Sequence, residues 1–285
     1  MPTEGKTMND IHWHNSGQSL ITEIAEEHVP ENTCCIWPLG QCGFVLKTAD
    51  AVIGTDLVLS HLYDAEGISP RLYGPPFAPD AGLKLSLLLV SHNHSDHLDV
   101  PTIEGLLKTN PDLKVVIPAA VKNEVTLSDN RIIYLKQDIR TAVPGGSVTG
   151  IATAHDVYRY DEEGSSFSLG YVIKQKGITF FHSGDALSDQ LLLQNVVHAH
   201  PDVMFLPING RDAVRTNAGI IGNMTMEEAV LLAQQVSPEV FIPMHHDMFA
   251  NNGFDAETCR LYAEKTIPDI KTIIPLLGKK IVLKF

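Results

Sequence analysis

"LLLVSHNHSDHLDV" (residues 87–100) joins an apolar run directly to three histidines and two aspartates. From Leu85 to Val90 only Ser86 interrupts the hydrophobic side chains. The run is too short for a typical helix and reads as a strand buried on both faces. The polar cluster therefore sits at a buried strand's end. In extended backbone His92 and His94 point to the same side, and Asp96 and His97 follow where the chain must turn. Imidazole and carboxylate are the ligand set of zinc and its neighbours. A lone histidine after a strand would be an ordinary satisfied polar group, but four such ligands within residues 92–97 point to a metal.

Working outward, "SGQSLITEIAEEHV" (16–29) sets Leu20, Ile21, Ile24 and Ala25 on one face and predicts a helix closed by Pro30. "CCIWPLGQCGFVLKTADAVIGTD" (34–56) reads as two or three short strands broken by Gly40, Gly43 and a turn at Thr48 to Asp50. Residues 57–82, with "YGPPFAPD" at 73–80, predict a loop over the site. Downstream, Asp99 caps a helix that accommodates Pro101 in its first turn, and "KVVIP" (114–118) is a strand. Short strands follow over 131–154, then a hairpin-like pair in "FSLGYVIKQKGITFFHSGD" (167–185) and a strand in "PDVMFLPIN" (201–209). "MTMEEAVLLAQQV" (224–236) is a helix with Thr225 and Glu228 at capping-box spacing, and "EVFIPMHHD" (239–247) is a strand ending in histidines. No repeat or linker composition divides the chain, so one domain over 1–285 is expected.

Composition narrows the function class. The 285 residues are 44% hydrophobic and 19% charged, as in a globular protein with a sizeable core. A formal net charge of -13 argues against nonspecific nucleic-acid binding, which needs cationic surface. Cys34, Cys35, Cys42 and Cys259 form no CxxC pair, so neither a disulfide scaffold nor a structural zinc knuckle is indicated and reduced thiols fit best. The opening residues lack a signal-peptide pattern, and no apolar run approaches the ~20 residues that span a bilayer. A soluble, cytoplasmic protein without a membrane partner is expected; a homo-oligomer is left open.

Four strand-like segments end in metal-competent residues: "SHNHSDH" (91–97), "IATAHD" (151–156), "HSGD" (182–185) and "PMHH" (243–246). This HxHxDH motif, followed by a further His, a Gly-Asp and a late His, resembles the metallo-β-lactamase fold hydrolases from about residue 33 onward. Within them "FFHSGD", "VFIPMHHD" and "WPLGQCGFVLKT" are most similar to the branch containing L-ascorbate-6-phosphate lactonase. The resemblance implies an α/β fold: an αββα four-layer sandwich of two facing mixed sheets with helices outside. It also implies two divalent ions at one edge, zinc or manganese with iron as a further option. On this resemblance His92, His94 and His155 would hold one ion, Asp96, His97 and His245 the other, and Asp185 would bridge them, with Gly184 allowing the tight turn into it. Asp96 and Asp185 are the expected catalytic carboxylates.

Such ions can share a hydroxide formed near neutral pH and polarise a carbonyl or phosphoryl oxygen, so no Ser or Cys nucleophile is needed. Around them, Asp56 after "AVIG" is expected to orient a ligand, since ligating imidazoles need an acceptor on the other nitrogen. His182 is a partner of a metal ligand, a proton donor or a buried structural group beside Phe180 and Phe181, and His246 contacts substrate or a metal-site carboxylate, or packs away from His245. Arg159 and Arg211 grip an anionic group or are surface charge. His12, His14, His28, His61, His198 and His200 read as solvated or core residues.

The first functional expectation is a dinuclear hydrolase that opens a lactone or ester of a small anionic, phosphorylated carbohydrate-like substrate. The second is a phosphodiesterase acting on a cyclic nucleotide, phospholipid or RNA. The third is a nonhydrolytic iron protein or a binding module. Two departures from the lactonase pattern, the end of the chain soon after "KKIVLKF" and the 57–82 loop, leave the substrate open.

Overall fold

In the computed structural model, which describes residues 11–61 and 71–285, helix α1 (Gly17–Glu26) precedes three antiparallel strands: β1 (Thr33–Gly40), β2 (Gly43–Lys47) and β3 (Val52–Thr55). β4 (Leu87–Leu89) then pairs parallel with β3, and after α2 (Val100–Thr109) come β5 (Lys114–Pro118) and β6 (Ile132–Leu135), also parallel. The second half follows a similar plan. β7 (Arg140–Val143), β8 (Gly146–Ala152), β9 (Leu169–Gln175) and β10 (Ile178–His182) are antiparallel neighbours. Helix α3 (Gln190–Val197), β11 (Val203–Pro207), the short α4 (Ala213–Asn217), α5 (Met226–Val236), β12 (Val240–Met244), α6 (Ala256–Thr266) and β13 (Lys271–Thr272) continue it with parallel pairing. Finally β14 (Ile281–Lys284) returns to pair antiparallel with β1.

These strands form two seven-stranded mixed sheets, ordered β14-β1-β2-β3-β4-β5-β6 and β13-β12-β11-β10-β9-β8-β7. The apolar run before the histidines is buried on both sides, as its composition predicts. Leu87 and Leu89 enter the core between the sheets with Phe44, Tyr171, Phe180 and Phe205, whereas Leu85, Leu88 and Val90 face Leu20, Ile24, Ile103 and Leu106 of α1 and α2. On the far side Leu192, Val196, Val230, Ala233 and Ala263 from α3, α5 and α6 cover Met204, Leu206 and Phe241. Helix, sheet, sheet, helix is the expected four-layer order. Burial of each such large aliphatic side chain is worth roughly 1.5–3 kcal/mol, so the layers are held chiefly by this apolar contact.

Several local expectations are refined. α1 stops at Glu26 because Glu27 turns extended (φ -60, ψ 120), before Pro30 is reached. Thr225 and Glu228 do form a reciprocal capping box on α5. Asp99 occupies the N-cap position of α2 but makes no side-chain bond to the helix backbone. Its carboxylate instead accepts from Ser60 N (2.9 Å), Ser60 Oγ (2.7 Å) and Thr102 Oγ1 (2.5 Å), tying the segment after β3 to the helix. Helices α3, α4 and α6 and strands β13 and β14 have no counterpart in the sequence reading; the buried face of α6 is only Ala256, Cys259 and Ala263, too small to register as an apolar stripe. Residues 62–70 of the expected loop lie outside the described residues. The rest of it, 71–82, holds no helix or regular strand, and Leu72 N donates to Met248 O (2.8 Å). Among the described residues no helix is long and apolar enough to cross a membrane.

Asp99→Ala removes the acceptor of three hydrogen bonds at a side chain that is 1% exposed. We expect a loss of about 2–4 kcal/mol of folding stability, read by urea denaturation. A change below about 0.5 kcal/mol would mean that the carboxylate has no part in joining Ser60 to α2.

Candidate metal centre

The C-terminal ends of β3, β4, β8, β10 and β12 meet the β1–β2 turn at one edge of the sandwich, and each carries a polar side chain into the same place. Three of the approaches use left-handed backbone: Asp56 (φ 40), Gly184 (φ 59) and His245 (φ 55). A fourth, Gln41 (φ 56), forms the turn itself. For residues other than glycine this costs of order 1–3 kcal/mol and persists only when neighbours enforce it. Asp56 N donates to Leu89 O (2.8 Å), and His245 N donates to Gln41 O (3.0 Å). At position 184 a side chain would not fit, since a Cβ would lie 2.4 Å from Ser91 Cβ. Glycine is required there by space as well as by conformation.

Three groups of donors result among the described residues: one is Cys42, Asp56 and His97, and the other two hold the anticipated ligands. His92, His94, His155 and Asp185 offer atoms within 4.8 Å of one another, and so do Asp96, His97 and His245. Asp185 touches both: its Oδ2 lies 3.3 Å from His155 Nε2 and 3.1 Å from His245 Nε2, and its Oδ1 lies 3.2 Å from His97 Nε2. Asp96 Oδ2 is 3.7 Å from His97 Nε2 and 3.6 Å from His245 Nε2. His94 Nδ1 and His155 Nε2 are 3.2 Å apart. All seven side chains anticipated from the sequence are therefore brought together.

The electrostatics are those of a site built for cations. Burial alone would lower the pKa of His97, but Asp185, Asp96 and Asp56 outweigh it and hold the imidazole well above its usual range. Against the same burial penalty, Asp185 and Asp96 push His245 up to about 9. Asp96 and Asp185 are held well below the usual carboxylate range despite burial, by His97 and His245 for the first and by His245, His97 and His155 for the second. Burial lowers His92, His94 and His155, helped by the charges on neighbouring imidazoles. The Nε2 atom of His92 is buried with no hydrogen-bond partner, a deficit that a coordinated cation removes. The donor set fits a metal.

The surrounding residues sort by contact. Asp56 Oδ2 lies 2.8 Å from His97 Nδ1, and its carboxylate accepts from Ser91 N and Ser91 Oγ, both at 2.7 Å. His182 spends its ring on backbone, with Nε2 at 2.9 Å from Cys42 O and Nδ1 accepting from Gly184 N (3.2 Å), so it braces the turn into Asp185. His246 lines a different cavity with His12 and His14. Arg211 is held by both oxygens of Glu228 (2.6 and 2.7 Å) and does not line the cavities at the cluster. Arg159 lines a cavity of about 260 Å³ beside His92, His94 and His155, but its guanidinium is paired with Asp156 (2.7 Å), and Glu124 faces the same space. The larger mouth, about 500 Å³, is lined by Asp96, Asp185, His155, Ile220, Phe249 and Asn252.

Sequence reasoning missed Gln41, Cys42 and Ser91. Gln41 Nε2 lies 2.8 Å from Asp96 Oδ2 and 2.9 Å from His245 Nε2, and Cys42 Sγ lies 3.8 Å from Asp185 Oδ1. The available signal was a polar residue between two glycine-flanked strands, in a stretch otherwise buried.

Comparison with known proteins agrees with this geometry. The chain is 27% identical over 215 residues to a metal-dependent hydrolase of Archaeoglobus fulgidus, covering 73% of this chain and 87% of the relative. It is 22% identical over 289 residues to a probable L-ascorbate-6-phosphate lactonase of Escherichia fergusonii, covering 87% and 79%. Among solved structures, the metallo hydrolase Igni18 from Ignicoccus hospitalis superposes with a TM-score of 0.67 at 20% identity over 89% of this chain and 99% of that one, a likeness of fold. Residues 50–246, well over half of the chain, match the family model described as the beta-lactamase superfamily domain, and to that family the chain belongs.

Proposed function

We propose that this chain is a single-domain, metal-dependent hydrolase that opens a lactone or ester of a small molecule at a centre of two divalent ions. One observation carries the reading: the Asp185 carboxylate lies within 3.3 Å of imidazole nitrogens from both donor groups, so one side chain faces two sites. His92, His94 and His155 would hold one ion, Asp96, His97 and His245 the other, and Asp185 would be shared. When bound, zinc or manganese, or iron, would supply Lewis acidity and a water ionised near neutral pH. The protein's own contribution is orientation. Asp56 holds His97 by Nδ1 so that Nε2 faces the cluster, and Ser91 Oγ, 3.0 Å from His92 Nδ1, does the same for His92. Burial first and then the Asp185 carboxylate raise the Cys42 thiol well above its usual value.

The mouth offers Ile220 and Phe249 to an apolar body, and Asn251 and Asn252 to hydroxyl or carbonyl groups. Charge favours an uncharged body over a phosphate, because Arg159 is already neutralised by Asp156 and Glu124 adds a negative charge beside it. Lactone chemistry is supported by the similarity to the Escherichia fergusonii protein. The four buried, unbonded cysteines suit a reducing, cytoplasmic setting.

Three outcomes test this reading. Native protein should carry close to two divalent ions per chain by elemental analysis, and Asp185→Asn should cut lactone hydrolysis by orders of magnitude while the fold survives; near-normal turnover with both ions bound would remove the shared carboxylate. Asp56→Ala should weaken metal binding about 10–100-fold in calorimetric titration, since His97 loses the partner that orients it. An unchanged affinity would make Asp56 a purely structural residue. Finally, an unphosphorylated lactone should be cleaved with a kcat/KM at least equal to that of its phosphorylated counterpart, and Arg159→Ala should alter both little. A phosphate preference of about tenfold that Arg159→Ala abolishes would restore the anionic substrate, and turnover of a phosphodiester with neither lactone cleaved would replace the reaction class.

A further inference from the structure

We infer that Gln41 is an additional ligand of the second ion, through its amide oxygen. The inference rests on the two-ion reading above. Its basis is the position of one atom. The terminal amide of Gln41 stands 2.8 Å from Asp96 Oδ2 and 2.9 Å from His245 Nε2, two donors of the same group, in a side chain that is 4% exposed. In an octahedral site, bonds of roughly 2.1 Å at right angles set neighbouring ligand atoms roughly 3 Å apart. The amide thus already occupies the place of a neighbouring ligand, not a position behind one.

The atom presented there is Nε2, which donates to the Asp96 carboxylate. An amide nitrogen has no lone pair to offer a cation, and its N–H dipoles would point their positive ends at the ion. A half-turn about the last side-chain bond puts Oε1 in that position with the carbon skeleton unmoved. The backbone stays fixed by bonds independent of the side chain: Gln41 N donates to Asp247 Oδ1 (3.0 Å) and lies 3.1 Å from Tyr73 Oη, and Gln41 O accepts from His245 N (3.0 Å). The first site needs no such turn, because His92 Nε2 is already without a competing partner. With Gln41 counted, the second site offers three oxygen donors, the carboxylates of Asp96 and Asp185 and the amide of Gln41, beside the two imidazoles, and so tolerates a hard ion such as manganese better than the imidazole-rich first site does.

Titration of manganese into the metal-stripped full-length protein, with free ion read by electron paramagnetic resonance, tests this without any substrate. Wild type should bind two ions, the tighter one first. Q41L should weaken the second ion at least about tenfold and leave the first unchanged, and Q41E, which restores an oxygen donor, should recover the second. Equal second-ion affinity in wild type and Q41L would overturn the proposal, and so would tighter binding by Q41L, since the amide would then be a competitor. Loss of both ions from Q41L and Q41E alike would make Gln41 a scaffold residue and overturn it too. A single ion in wild type would instead overturn the two-ion reading itself, and Gln41 with it.

Discussion

Ser91 N, Ser91 Oγ and His97 all converge on the carboxylate of Asp56, and the centre depends on that convergence. The residue sits just beyond β3, in left-handed backbone, and it fastens the first turn after the neighbouring strand β4. This fastening acts together with the local backbone bonds from His97 N and Leu98 N to His94 O (2.9 and 2.7 Å), which coil "SHNHSDH". Burial strengthens the effect, because a carboxylate that is 1% exposed has no water to compete for its hydrogen bonds. A charge placed there is costly unless fully satisfied, and three partners satisfy it.

The same logic extends outward from the ligand cluster. Bringing Asp96, Asp185 and five imidazoles together would be strongly unfavourable if each stood alone, and the protein offsets it in two ways. Carboxylates and imidazoles stand beside one another, so that Asp185 and Asp96 raise His97 and His245 against burial, and the apolar layers on both faces of each sheet supply the free energy that holds the strand ends in register. Left-handed turns at Asp56, Gly184 and His245 then aim side chains from three strands at one spot. Strain of this kind belongs where a rigid scaffold must present polar groups precisely placed for a ligand.

A second set of residues, which the family pattern does not describe, lines the mouth: Ile220 after α4, and Phe249, Asn251 and Asn252 after β12. Arg159 and Arg211 are paired with Asp156 and Glu228. The charge of -13 is therefore not relieved by a free cation in the described cavities at the cluster. The donor groups stand at strand ends and the mouth is lined by connecting segments, a division common where a rigid scaffold presents loops.

By itself, the amino-acid sequence determined the elements and the chemistry that are local. The buried character of Leu85 to Val90 follows from composition alone, because a two-sided strand must be apolar at consecutive positions, and Leu87 and Leu88 indeed face different cores. The capping box at Thr225 is likewise a short-range bond written in four residues. Ligand-type residues at four strand ends were legible for the same reason. Tertiary structure decided what needs distant partners. Asp99 leaves its helix for Ser60, His182 turns to the carbonyl of Cys42, and Arg159 finds Asp156, each satisfying a buried or charged group with whatever the fold brings near. Gln41 was illegible because nothing in "PLGQCG" announces a partner; only the packing of β2 beside β3 and the return of β12, more than 200 residues later, sets its amide between Asp96 and His245. A side chain's neighbours across such a separation are a property of the sheets, and the local sequence carries no record of them.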